Sequence, residues 1–121
     1  MITVSHTAVP TVAAIVAVGA KPVLVDVEND FYTIDPSKIK KSITKKTKAI
    51  IAVHLYGQPC DIEKIKNICD QNNIKLIEDV SQAHGSEFLN RKLGMFGDLA
   101  CFSCYPTKNL GALGDAGVIV T

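Results

Sequence analysis

Three apolar runs constrain this chain more than any other feature. Residues 22–27, 48–53 and 74–77 are dominated by unbroken Val, Ile, Leu and Ala, without the in–out alternation of a half-exposed strand. Strands apolar on both faces need cover on both faces, which a mostly parallel sheet between two helical layers supplies. The intervening segments suit that arrangement. Residues 8–18 predict a helix with Pro10 in its first turn, where a missing N–H costs little, and Gly19 as its stop. That helix is apolar all round, so burial on several sides is expected. Asp35 and Pro36 suit the N-cap and first position of a second helix, with Ile39 and Ile43 turned inward. Residues 61–72 give the clearest amphipathic pattern, with Ile62, Ile65, Ile68 and Cys69 on one face. Residues 1–4 suit a short first strand, and 80–97 are irregular. The expected fold class is α/β: three layers, α/β/α, around a mostly parallel sheet.

Composition narrows the function. Hydrophobic residues make up 47% of the 121, and the formal net charge is +1. That balance suits a packed enzyme core and implies no polyanion partner such as nucleic acid. Lys38, Lys40, Lys41, Lys45, Lys46 and Lys48 cluster without interleaved aromatics, as on a solvated helix face and loop. The opening residues lack the basic start of a signal peptide, and the apolar run 12–18 is too short to span a membrane. Cys60, Cys69, Cys101 and Cys104 do not form a disulfide framework. The C-x-x-C at 101–104 lies on strand-like sequence, where positions three apart face opposite ways. Reduced thiols and a cytoplasmic location are expected.

In parallel sheets, ligands sit beyond the carboxyl ends of the strands. The residues at or just past those ends are Asp26, His54, Asp79 and Ser103. The last quarter of the chain, 98–121, carries one lysine, Lys108, in a loop between two strands expected to be buried. Lysine is costly to bury, and desolvation favours its neutral, nucleophilic amine. Asp79, Gln82, Ser103 and Lys108 together supply a carboxylate, an amide, a hydroxyl and an amine. A pyridoxal phosphate site asks for these groups. Each also has an ordinary reading: a helix cap, a surface amide, a hydroxyl bonded to nearby backbone, a loop lysine. Gly111, Gly114 and Gly117 permit positive φ and close backbone approach. They do not spell G-x-G-x-x-G, which weighs against a dehydrogenase with Asp26 on a ribose.

Residues 77–85 (IEDVSQAHG) and 97–111 (GDLACFSCYPTKNLG) strongly resemble the DegT/DnrJ/EryC1/StrS family of pyridoxal-phosphate-dependent sugar aminotransferases. So do 19–23 (GAKPV) and 49–58 (AIIAVHLYGQ), in the expected order. The resemblance covers essentially the whole chain. It implies the large domain of the aspartate aminotransferase fold (type I), with pyridoxal 5'-phosphate as cofactor. Lys108 would form the Schiff base and shuttle a proton to the substrate carbon. Asp79 would pair with the pyridine nitrogen, Gln82 would approach the ring hydroxyl, and Ser103 would hold the phosphate. The implied substrates are L-glutamate and a nucleotide-linked keto-deoxysugar, dTDP-linked and aminated at C3, for deoxyaminosugar or cell-surface polysaccharide synthesis. A homodimer is implied for the full-length form.

This chain also departs from the family's pattern. Ala8 stands where many members stack an aromatic on the cofactor ring, and His6 is the nearby substitute. Cys104 and Ala116 replace the commoner phenylalanine and glycine. His54 and His84 are expected either to line the pocket or to bond locally. Family enzymes are roughly three times this length. The 121 residues are therefore expected to be the central part of the large domain, without its N-terminal segment or the C-terminal small domain. Alone they are expected to expose sheet edges and apolar helix faces, and to be inactive. The alternative is a catalytically silent domain serving as a binding or dimerisation module.

Overall fold

A computed structural model describes all of residues 1–121. The apolar runs form strands β1 (Ile2–Val4), β2 (Val23–Val25), β3 (Ala49–Val53) and β4 (Lys75–Asp79), joined later by β7 (Leu99–Ser103) and β8 (Gly117–Val120). They make one six-stranded sheet in the order β2-β1-β3-β4-β7-β8. Every pair is parallel except β7–β8, which is antiparallel. Helices α1 (Val9–Ala17), α2 (Pro36–Ser42) and α3 (Ile62–Asn72) make the crossovers. The path steps one way from β1 to β2, then back the other way to β3 and β4. Right-handed crossovers therefore put α1 on one face and α2 with α3 on the other. The expected three-layer α/β/α arrangement follows, with the sheet's switch point between β1 and β3.

Local chemistry sets the helix ends. Asp35 caps α2 by accepting from Ser37 N at 2.8 Å, with Pro36 in the first turn. Asp61 caps α3 by accepting from Lys64 N at 3.2 Å. Gly19 at φ 72° and Asn73 at φ 53° take the left-handed conformation that stops α1 and α3. The α3 stripe of Ile62, Ile65, Ile68 and Cys69 is buried, and Ile39 of α2 is fully enclosed. The core also holds Ile2, Ile50, Leu76 and Ala100.

Four sequence expectations need correction. Helix α1 is not buried on several sides: only Thr11 and Ile15 are enclosed, while Val9 is 79% and Val18 74% exposed. Its sequence is apolar all round, but only one side meets the sheet. Strand β8 is exposed along its length, so Lys108 lies between one core strand and one exposed edge strand. The irregular stretch 80–97 contains a hairpin, β5 (Glu87–Phe88) with β6 (Arg91–Lys92). Its turn places Leu89 and Asn90 at φ 49° and 61°, without the glycine that usually signals such a turn. Finally, none of Gly111, Gly114 and Gly117 has positive φ. Close approach holds at Gly111, where a Cβ would lie 2.5 Å from the Pro106 carbonyl oxygen, whereas Gly114 has open space.

The α3 stripe sets a stability contrast. Ile65→Ala empties a fully buried site and should lower unfolding free energy by about 2–5 kcal/mol. Glu63→Ala, on the exposed side of α3, should stay within about 0.5 kcal/mol. Urea unfolding midpoints of the two variants check this.

Candidate functional site

Period-two alternation along the central strands separates two jobs. Ile51, Val53, Ile77, Asp79, Cys101 and Ser103 line a cavity of about 500 Å3, closed on another side by Thr7, Ala8, Pro10, Thr11 and Ala14. That volume suits a ligand of cofactor size. The intervening residues Ile50, Leu76, Glu78 and Ala100 are fully buried. All four residues singled out from sequence, Asp79, Gln82, Ser103 and Lys108, line this one cavity. Lys108 is its only amine and Asp79 its only carboxylate.

Asp79 is the last residue of β4. Its Oδ1 accepts from Ser81 N at 3.1 Å and its Oδ2 from Thr11 Oγ1 at 3.0 Å. Gln82 Oε1 accepts from Tyr56 N at 2.9 Å. Tyr56 sits at φ 56°, a strained position for a bulky residue. With its oxygen occupied, Gln82 keeps its amide N–H groups to offer. Ser103 Oγ accepts from Tyr105 N at 3.3 Å, which leaves its hydroxyl proton free to donate. Lys108 is held through its backbone, where its N–H donates to the Tyr105 carbonyl at 2.8 Å. Cys101 faces the same space, and burial, reinforced by the Asp79 charge, pushes its thiol up.

Two of the four strand-end residues stay out of the cavity. Asp26 is exposed and pairs with Lys38 at 3.4 Å. His54 is fully buried, with Nε2 3.3 Å from Glu78 Oε2 and Nδ1 accepting from Cys60 N at 3.2 Å. His84 neither lines the cavity nor bonds locally. Both its ring nitrogens are buried without a partner, and the ring packs 5.7 Å from Phe102. His6 also lies outside the cavity, facing Tyr56 and the Tyr32 carbonyl, so Ala8 alone occupies the position of the missing aromatic. The four cysteines are free, and no three His, Cys, Asp or Glu side chains come together as a metal site.

Sequence reasoning passed over two residues. Thr11 is the polar residue of an apolar helix, and that isolation was its signal. Glu78 precedes the recognised Asp79, and an unbroken strand through both would have turned it to the opposite face. There its carboxylate accepts from Gly94 N (2.8 Å), Phe96 N (2.8 Å) and Gly97 N (2.7 Å), besides His54. Burial opposes its ionisation. The His54 ring and the three backbone N–H groups outweigh that and hold the carboxyl below its ordinary 4.5.

Residues 1–121 match the DegT/DnrJ/EryC1/StrS aminotransferase family. The chain belongs to this family. A dTDP-3-amino-3,6-dideoxy-alpha-D-galactopyranose transaminase of Aneurinibacillus thermoaerophilus is 52% identical over 117 residues, covering 97% of this chain and 32% of that protein. A dTDP-3-amino-3,4,6-trideoxy-alpha-D-glucose transaminase of Micromonospora megalomicea subsp. nigra is 48% identical over 121 residues, covering 100% and 32%. The chain thus spans about a third of these relatives' length. The crystal structure of ntda from Bacillus subtilis with bound cofactor PMP superposes with a TM-score of 0.90 at 36% identity, over 99% of this chain and 27% of that one. The sheet and cavity described above are therefore those of a chain of this aminotransferase family, and no helix in it is long and apolar enough to cross a membrane.

Glu78 gives a pH prediction. Its carboxyl is depressed in the folded state, so its contribution is present above the ordinary 4.5 and is lost as pH falls through the lower folded value. Glu78→Gln should cost about 3 kcal/mol at neutral pH, because a buried charge-assisted set is broken. It should also flatten the acid limb of a stability–pH curve measured by urea unfolding from neutral pH down to about pH 3.

Proposed function

We propose that this chain forms the central part of the cofactor-holding large domain of a sugar aminotransferase. The observation that carries the reading is the pairing of one amine, Lys108, with one carboxylate, Asp79, in one cavity. Their neighbours complete a donor set that fits pyridoxal phosphate. Asp79 offers acceptor oxygens to a protonated ring nitrogen. Gln82, its own oxygen engaged by Tyr56, offers an N–H to the ring's phenolic oxygen. Ser103 offers a hydroxyl proton to the phosphate.

When bound, the cofactor would supply the electron sink through which an amino group passes from donor to keto carbon. The chain's residues do the rest. Lys108 Nζ attaches the cofactor and moves a proton at the carbon being aminated. Apolar Ile51, Val53, Leu55 and Ile77 keep water from the ring. The small Ala8 leaves room where many members of the family place an aromatic.

The substrate we propose is a nucleotide-linked keto-deoxysugar, dTDP-linked and aminated at C3, with L-glutamate as donor. The dTDP link and the 3-position are supported by the two sugar transaminases above, at 52% and 48% identity. We assign the longer enzyme to a cytoplasmic homodimer that makes deoxyaminosugars.

Added pyridoxal phosphate should give the absorbance band of a lysine-linked chromophore, and Lys108→Ala should abolish it while Lys75→Ala leaves it intact. Spectral titration checks this. A protein without any lysine-dependent band would be the silent binding module instead.

A further inference from the structure

Helix α1 makes one side-chain hydrogen bond to the sheet, and it ends on Asp79. Within Val9–Ala17, the sequence VPTVAAIVA has a single polar side chain, Thr11. Thr11 is only 8% exposed. A threonine inside a helix ordinarily turns its hydroxyl onto the preceding turn's carbonyl. Here Oγ1 reaches Asp79 Oδ2 at 3.0 Å, across 68 positions of sequence. Thr7 Oγ1 lies 3.0 Å from Thr11 Oγ1.

Proton counting gives this relay a direction. A carboxylate only accepts, so the single hydroxyl proton of Thr11 lies toward Asp79. Thr7 must then donate to Thr11. The chain runs Thr7 to Thr11 to Asp79, each donor polarised by the one behind it. Ser81 N holds the other oxygen, Oδ1, at 3.1 Å. Both oxygens are therefore tied, one by helix α1 and one by the turn that follows β4, which opposes rotation of the carboxylate plane. Each oxygen retains acceptor capacity, and Asp79 lines the cavity.

We propose that Thr11, backed by Thr7, is the positioning residue that orients Asp79 toward the protonated ring nitrogen of the cofactor. The inference rests on the cofactor reading of the cavity. It predicts an effect that passes through the ring nitrogen alone. A hydroxyl that merely satisfied a buried site would support the whole cavity equally.

The probes are pyridoxal phosphate and its 1-deaza analogue, in which CH replaces the ring nitrogen. Dissociation constants are measured by absorbance titration of the purified protein and its variants. Thr11→Val keeps the shape and drops the hydroxyl. It should weaken pyridoxal phosphate about tenfold, as expected for one lost hydrogen bond to a charged group, and leave the analogue within about twofold. Thr11→Ser should restore the original value. Equal weakening of both probes, or of neither, overturns the proposal. Thermal unfolding of each variant is followed by circular dichroism. If Thr11→Val does not fold, Thr7→Val decides: it should weaken pyridoxal phosphate about threefold and spare the analogue, and an equal effect on both overturns the proposal. If the unsubstituted protein binds neither probe in a Lys108-dependent way, it is the cofactor reading that falls.

Discussion

A carboxylate without solvent contact, Glu78, holds this structure's working end together. It stands in the middle of the sheet and collects three backbone N–H groups from one short turn, 94–97, and one ring nitrogen from His54. A buried charge is tolerable only when its acceptor capacity is filled, and here four donors fill it. Gly94 and Gly97 make the approach possible. A side chain on Gly94 would run into Phe102, and one on Gly97 would meet the Leu76 and Leu99 carbonyls. The turn that leads into β7 is thus fastened to β4 by electrostatics as well as by packing. That is how Ser103 and Lys108, which follow on the chain, come to face Asp79.

Glu78 and its neighbour divide the labour of a strand. Adjacent residues on β4 point to opposite sides of the sheet. One side is closed and holds Glu78, His54 and Cys60, where burial, helped by the Glu78 charge, pushes the Cys60 thiol up and leaves it unreactive. The other side is the cavity. Two carboxylates one position apart therefore have opposite fates, one spent wholly on structure and one left with capacity to offer. The cavity's polar groups share this logic. Gln82 and Ser103 each give an acceptor to a backbone N–H and keep a donor, so small local bonds set the polarity that the cavity presents.

Much of this was legible in the residues. The unbroken apolar runs specified a covered parallel sheet, and Asp35, Pro36 and Gly19 marked helix ends correctly because capping is a local matter. The family motifs brought Asp79, Gln82, Ser103 and Lys108 to one cavity although up to 29 positions separate them. What was hidden depended on partners distant in sequence. His54 reads as a strand-end residue but is committed to Glu78, 24 positions away. Thr11 reads as a helix residue, and only the packing of α1 on the sheet gives its hydroxyl a target. The apolar α1 was misread for a related reason: composition describes what a helix could bury, while contact with one sheet face decides what it does bury.

The reversal of β8 has a consequence for the lysine. Had β8 run parallel, its connection from β7 would have crossed to the far end of the sheet and returned. Because it is antiparallel, Ser103 pairs with Gly117, and the loop between them brings Tyr105, Thr107 and Lys108 to the cavity. The amine rides on a closed loop anchored at both feet to adjacent strands. Insertions or deletions in that loop should change its height over the cavity while the strand ladder on either side stays in register. The reach of the amine can therefore evolve separately from the stability of the sheet beneath it.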